Sequence, residues 1–182
     1  NSLSDYLEKY NRGNHSAELI KLLADKYSDK GEHDKAISLF NELLISSNQS
    51  KNDNEYAKYA IATLELKKHN TDIIEKYLKQ NTESSFYKTA INDYASYLNR
   101  NAWKMAELDS SLNDALDKIN TGLSLIDDTN QSYPYLLDTK AEILWKLNKN
   151  KEAIKIIEEA IILDPESRYY KEQKEKILTS NF

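Results

Sequence analysis

A chain of 182 residues fits one domain of ordinary size or a compact array of helices, and its net charge of −5 gives no general attraction for nucleic acid or anionic lipid. The absence of cysteine excludes disulfides, thiolate metal sites and cysteine catalysis within it. Only 3 glycines and 2 prolines punctuate a chain that is 40% hydrophobic and 30% charged, which excludes a turn-rich sheet protein and points to an all-α fold.

Period and capping signals divide the chain into about ten helices. Ser2 or Ser4 can cap a short first helix carrying Leu7 and Tyr10, which ends near Asn11-Arg12-Gly13. Ser16 caps the next, with Ile20, Leu23, Ala24 and Tyr27 on one side and a stop at Gly31. A third runs from about Asp34 to Ser46, and a fourth from Asn52 to Lys67 by its Tyr56, Ala60, Ile61, Leu64 spacing. Thr71 can cap a shorter helix with Ile74, Tyr77 and Leu78, and Thr82 opens another through Phe86, Ala90, Ile91, Tyr94 and Leu98. Residues 100–110 either continue that helix through Trp103 and Met105 or form an inserted loop. Ser111 with Asp114 resembles a capping box for a helix reaching Ile126. Pro134 suits the first turn of the helix through Trp145; residues 150–163 and a last helix from Ser167 follow. Short loops predict antiparallel neighbours, and with no obvious linker the whole of 1–182 is expected to be a single domain.

Three of these helices carry one signature. Ala36, Phe40, Leu43 and Leu44 sit at i, i+4, i+7 and i+8; Ala115, Ile119, Gly122 and Leu123 repeat the spacing, as do Ala153, Ile157, Ala160 and Ile161. Each follows a helix with a small residue in mid-span: Ala24, Ala95 and Ala141. Gly31 and Asn148 hold the same turn position, five residues before Ala36 and Ala153, and both residue types tolerate the left-handed conformation that closes a tight turn. A helix inside a stack is touched on two sides, so small residues at the crossings let backbones approach while Ile, Leu and Phe fill the remaining volume.

On these residues the sequence resembles the tetratricopeptide repeat, a helix–turn–helix unit of about 34 residues. The first unit, about 16–48, matches through Ile20-Leu23-Ala24-Tyr27-Gly31-Ala36-Phe40, although Asn48 replaces the usual final proline. The last, about 134–165, matches through Ala141-Leu144-Asn148-Ala153-Ile157-Ala160-Pro165 and loses the glycine. A degenerate unit at about 83–127 has to hold an insertion between Leu98 and Ala115. The resemblance implies a right-handed superhelix of antiparallel hairpins, closed by a C-terminal capping helix with Tyr169, Tyr170, Ile177 and Leu178. The alternative is a non-repeating helical bundle whose alanines coincide.

A narrower resemblance also exists. Tyr10, Gly13, Ser16 and Glu18, then Asn92, Tyr94 and Ala95, then Leu137, Asp138, Thr139 and Ala141 are similar to the helical region that follows the thioredoxin-like domain in Bacteroidetes-type disulfide-isomerase-like proteins. That resemblance implies a redox Cys-x-x-Cys upstream and a periplasmic or envelope-associated parent; otherwise a cytoplasmic one is expected. An opening at Asn1 rather than Met is what a processed product or an excised piece would show.

No metal, cofactor or catalytic group stands out. His15, His33 and His69 are far apart, each near a predicted turn, without a second ligand at i+3 or i+4. With glycine only at 13, 31 and 122 there is no phosphate loop. Carboxylate pairs such as Glu158-Glu159 and Asp127-Asp128 read as solvated surface, and the sequons at Asn14, Asn48 and Asn130 as chance matches in an Asn-rich chain. No stretch approaches the ~20 apolar residues of a membrane span, and no signal peptide is present, so no membrane insertion is expected.

Beside the packed stripe of each first helix runs a second one. The resemblance implies that this second stripe lines a concave groove: Lys21, Asp25 and Ser28 in the first unit, Asn92, Ser96 and Asn99 in the middle one, and Tyr135, Asp138, Glu142 and Trp145 in the last. Some such proteins clamp a terminal carboxylate with Lys and Asn; Asp25 and Glu142 would repel it, so no clamp is expected. The alternative is that the stripe is only solvated helix surface. The leading expectation is a non-catalytic scaffold that binds a protein or peptide, or docks on a domain of its own parent. A second is the tail of a thiol–disulfide isomerase, aiding substrate recruitment or forming a homodimer. A helical enzyme survives only if a pocket gathers His or carboxylates from distant units.

Overall fold

The computed structural model describes residues 17–46 and 49–179, and every regular element among them is an α-helix. The expected first helix, with His15 and two of the sequons, lies outside the described residues. The helices are α1 (Ala17–Asp29), α2 (His33–Ile45), α3 (Lys51–Lys67), α4 (Thr71–Gln80), α5 (Tyr87–Glu107), α6 (Leu112–Leu125), α7 (Tyr133–Lys146), α8 (Asn150–Leu163) and α9 (Arg168–Thr179). Consecutive helices pack as adjacent pairs, as a tetratricopeptide-like all-α fold requires. The chain divides into two compact units, residues 1–90 and 91–182.

In the first unit α1 packs on α2, α2 on α3 and α3 on α4. The α1–α2 turn closes at Gly31, whose φ of 76° is open to glycine and strained for other residues. Ala24 and Ala36 are fully buried at the crossing, with Ile20, Phe40 and Leu43 filling the space around them and Ala57, Ala60 and Leu64 of α3 closing the core. Aromatic rings continue this core: Phe40 lies edge-on to Tyr56 at 5.8 Å, and Tyr59 stacks on Phe86 at 5.2 Å.

One cap here was not expected from the sequence, and one expected cap does not form. A full capping box sits at the start of α3, where the Ser50 hydroxyl accepts from the Asp53 amide at 3.1 Å and Asp53 accepts from the Ser50 amide at 3.1 Å. Thr82 does not open α5; residues 82–86 form turns and the helix starts at Tyr87. Glu55 holds that turn by accepting from the amide and hydroxyl of Ser85, both at 3.0 Å, while Ser84 accepts from the Phe86 amide.

In the second unit α6 packs on α7, α7 on α8 and α8 on α9. Residues 100–107 continue α5, so the insertion is absorbed as extra helical turns, with Ala102 and Ala106 buried against Ala115 and Ile119. The Ser111–Asp114 capping box does not form. Ser111 adopts a left-handed conformation (φ 48°) together with Asp109 (φ 47°), whereas an N-cap serine needs extended backbone to reach forward. The turn is closed by main chain instead: the Ser110 amide donates to the Met105 carbonyl at 3.0 Å. Gly122 is there for space: a Cβ on it would stand 3.1 Å from Leu136 and 3.6 Å from the Ala95 carbonyl. The α7–α8 turn closes through Asn148, left-handed at φ 60°, as the sequence implies. Ala153, Ile157 and Ala160 are fully buried against Leu137, Ala141 and Leu144.

Helix α9 is the expected cap. It buries Tyr170 and Ile177 in the α7–α8 core, while Arg168, Lys171, Glu172 and Glu175 are exposed. Burying two such side chains contributes roughly 1.5–3 kcal/mol each.

Candidate functional site

Leu137, Ala141 and Leu144 turn one stripe of α7 into the α8 core. At 3.6 residues per turn the adjacent stripe is Tyr135, Asp138, Glu142 and Trp145, and the structure brings this stripe against α9. The Tyr169 hydroxyl donates to Asp138 Oδ2 at 3.1 Å. Lys176 Nζ donates to Glu142 Oε2 at 2.8 Å and sits 4.2 Å above the centre of the Trp145 ring. Both carboxylate residues are only 8% exposed, whereas Tyr135 is 61% exposed and Tyr169 is 45% exposed. The two tyrosine rings flank Tyr170, at 6.4 and 5.6 Å from its ring.

Burial dominates the electrostatics of Asp138. It pushes the carboxyl up to about 6, the neighbouring Glu142 charge adds to the rise, and the Tyr169 hydroxyl and Lys176 work against it. Tyr169 is raised to about 12 by its own burial and by the Asp138 charge.

In the first unit the stripe faces α3. Lys21 pairs with Asp53, and the Tyr56 hydroxyl donates to Asp25 at 2.8 Å. Lys21, helped by the Ser50 hydroxyl, pulls the Asp53 carboxyl down to about 2. Burial, and then the bond to Asp25, raises the Tyr56 phenol to about 12.

The middle stripe is looser. Asn92 is exposed and accepts from Asn130 Nδ2 at 2.7 Å, Ser96 is exposed, and the Asn99 side-chain oxygen is buried with no partner. The Asn130 amide group is thus engaged by a side-chain contact, and its Oδ1 accepts from the Ser132 amide at 2.9 Å.

Sequence reasoning missed the residues that cover the stripes: Asp53 and Tyr56 on α3, and Tyr169 and Lys176 on α9. These contacts span 31 to 34 residues, close to one repeat, but no short pattern marks which residues meet. Glu142 and Lys176 are 34 residues apart, as are Asp34 and Lys68, which pair at 2.7 Å between the start of α2 and the end of α3. In the second unit Lys146 at the end of α7 pairs with Asp109 in the α5–α6 turn, also at 2.7 Å.

His33 is half-buried at the start of α2. Among the described residues no group of three or more His, Asp or Glu is placed to hold a metal, and no helix is long and apolar enough to cross a membrane. An open polar cleft of about 510 Å³ lies beside the start of α3, lined by Asn54, Lys58 and Asn81 among others; its carboxylate, Glu55, is taken by the 82–86 turn.

Residues 135–167 match the family model of the tetratricopeptide repeat. This is the α7–α8 hairpin with the turn that leads into α9, and the helical pairing around it is consistent with a tetratricopeptide-like all-α fold. Such repeats commonly mediate protein–protein interaction, and domains built from them are generally non-catalytic. No curated protein matches the chain, and the hairpin match carries nothing of the narrower thioredoxin-linked resemblance.

Proposed function

We propose that this chain is a non-catalytic helical-repeat scaffold that offers a preformed surface to a protein or peptide, whether a separate partner or a neighbouring domain of its own parent. The observation that supports this most is the coincidence of the tetratricopeptide match with a hairpin whose first helix begins with an exposed aromatic, Tyr135, followed on the same stripe by buried carboxylates. A surface fixed by helix packing loses little freedom on binding, so contacts made on it convert into affinity with a small ordering cost.

Site-specific photocrosslinking tests this reading. A photoreactive phenylalanine is placed at position 135 in the full chain, and a second at Lys155, exposed on α8, as the control face. The expected result is a saturable crosslink to a discrete protein from position 135 and none from 155. Equal, non-saturable labelling from both positions contradicts the proposal.

A further inference from the structure

Helix α7 carries two pairs of an aromatic residue and a carboxylate, each pair three residues apart: Tyr135 with Asp138, and Trp145 with Glu142. The second pair already holds a cation. Lys176 places its ammonium on Glu142 at 2.8 Å and over the Trp145 ring at 4.2 Å, within the range in which a desolvated cation gains from a ring face. The first pair has the same chemistry but no cation seated on its carboxylate; the Lys176 charge, which Glu142 holds, acts on Asp138 without a direct pair. Among the described residues Asp138 makes no ion pair; its hydrogen-bond donor is the neutral hydroxyl of Tyr169. The carboxylate is nevertheless buried, and a buried charge without a counter-charge is costly. Beside it stand two exposed tyrosines, Tyr169 bonded to the carboxylate and Tyr135 three residues before it on α7, both in ring contact with Tyr170.

We propose that Tyr135, Asp138 and Tyr169 form a subsite for a lysine or arginine side chain of the partner protein. It deepens the scaffold reading above and rests on it. The occupant follows from charge complementarity: an ammonium or guanidinium gives Asp138 a direct counter-charge, where it now has only the charge of a lysine paired elsewhere, and lies against the tyrosine rings as Lys176 lies over Trp145 one turn further along. A carboxylate or phosphate would meet two buried acids.

The test is a titration of the full chain, isotope-labelled, with N-acetyl-arginine amide and N-acetyl-lysine amide, with N-acetyl-citrulline amide as the neutral control. Expected are amide shifts confined to the start of α7 and the first turns of α9 for the two cations, and none for citrulline. Asp138→Asn abolishes the shifts, and Tyr135→Ala, at an exposed position, weakens binding about fivefold, the size of one lost ring contact. Binding strengthens as pH rises through about 6, where Asp138 becomes charged. Shifts scattered over all surface carboxylates, or unchanged in Asp138→Asn, overturn the subsite. So do shifts at the same residues that track protein concentration without probe, which would make a second copy of the chain the occupant. If the position-135 crosslink persists while arginine amide gives no localised shifts, the subsite is wrong and the scaffold stands.

Discussion

Helices α1 and α7 occupy the same place in their hairpins, and three residues before the central alanine one has Lys21 where the other has Asp138. In the first unit that residue meets a carboxylate, and Asp53 is held down to about 2; in the second it meets a tyrosine hydroxyl, and Asp138 is pushed up to about 6. One position after the alanine both have an acid, Asp25 and Glu142, and both acids are bonded by the helix one repeat later. The backbone frame is therefore repeated while the electrostatics are reversed by a single residue. A filled ion pair closes one joint, and at the other an acid without a direct ion pair is the proposed seat of a partner's cation.

Removing α9 breaks the comparison outright. A chain ending at Pro165 exposes the surface covered by Tyr170 and Ile177, a loss of about 3–6 kcal/mol. The expected outcome is aggregation on gel filtration and no cooperative transition for α6–α8 by hydrogen exchange. A soluble, cooperatively melting form would show that α9 is not the cap.

Overpacking a crossing comes next. Ala160→Leu forces three extra carbons into the α7–α8 core where Ala160 is fully buried, and should destabilise the second unit by about 1–3 kcal/mol in a denaturant melt while leaving exchange in α1–α3 unchanged.

Charge removal sharpens the comparison, because its two arms have opposite sign. The Asp138 carboxyl is raised above its unfolded value near 3.8, so the folded state is penalised as pH climbs from about 4 through about 6. Asp138→Asn lifts that penalty: it stabilises α9 against exchange at pH 8 and changes little at pH 4. The Asp53 carboxyl is depressed, so its stabilisation is present above about 4 and fades as pH falls toward about 2. Asp53→Asn removes the Lys21 pair and half of the capping box, and should cost about 1–2 kcal/mol at pH 7.

The smallest effect is expected at Gly122. Alanine there gains about 1 kcal/mol of helix propensity but sets a methyl 3.1 Å from Leu136, so Gly122→Ala should change the melting midpoint only slightly, whereas Gly122→Val should lower it clearly.

Much of this molecule was legible in its sequence because the decisive signals were local. Ala153 and Ala160 on a face shared with Ile157, and the left-handed turn residues Gly31 and Asn148, sit within one or two helical turns of what they determine. Capping was harder to read. Ser111 with Asp114 has the composition of a box, but the turn at Asp109 sets a backbone that the side chain cannot use, while the box at Ser50–Asp53 went unread. The covering of the α7 stripe by Tyr169 and Lys176 was out of reach for another reason. It depends on which residues meet 31 and 34 positions away, and that register is fixed by packing rather than by any short pattern.

Carboxyl ¹³C titration of the full chain, following Asp53 and Asp138 side by side, bears most directly on the reversed joints. The account predicts midpoints near 2 and near 6. Two midpoints both close to the ordinary aspartate value near 3.8 would contradict it.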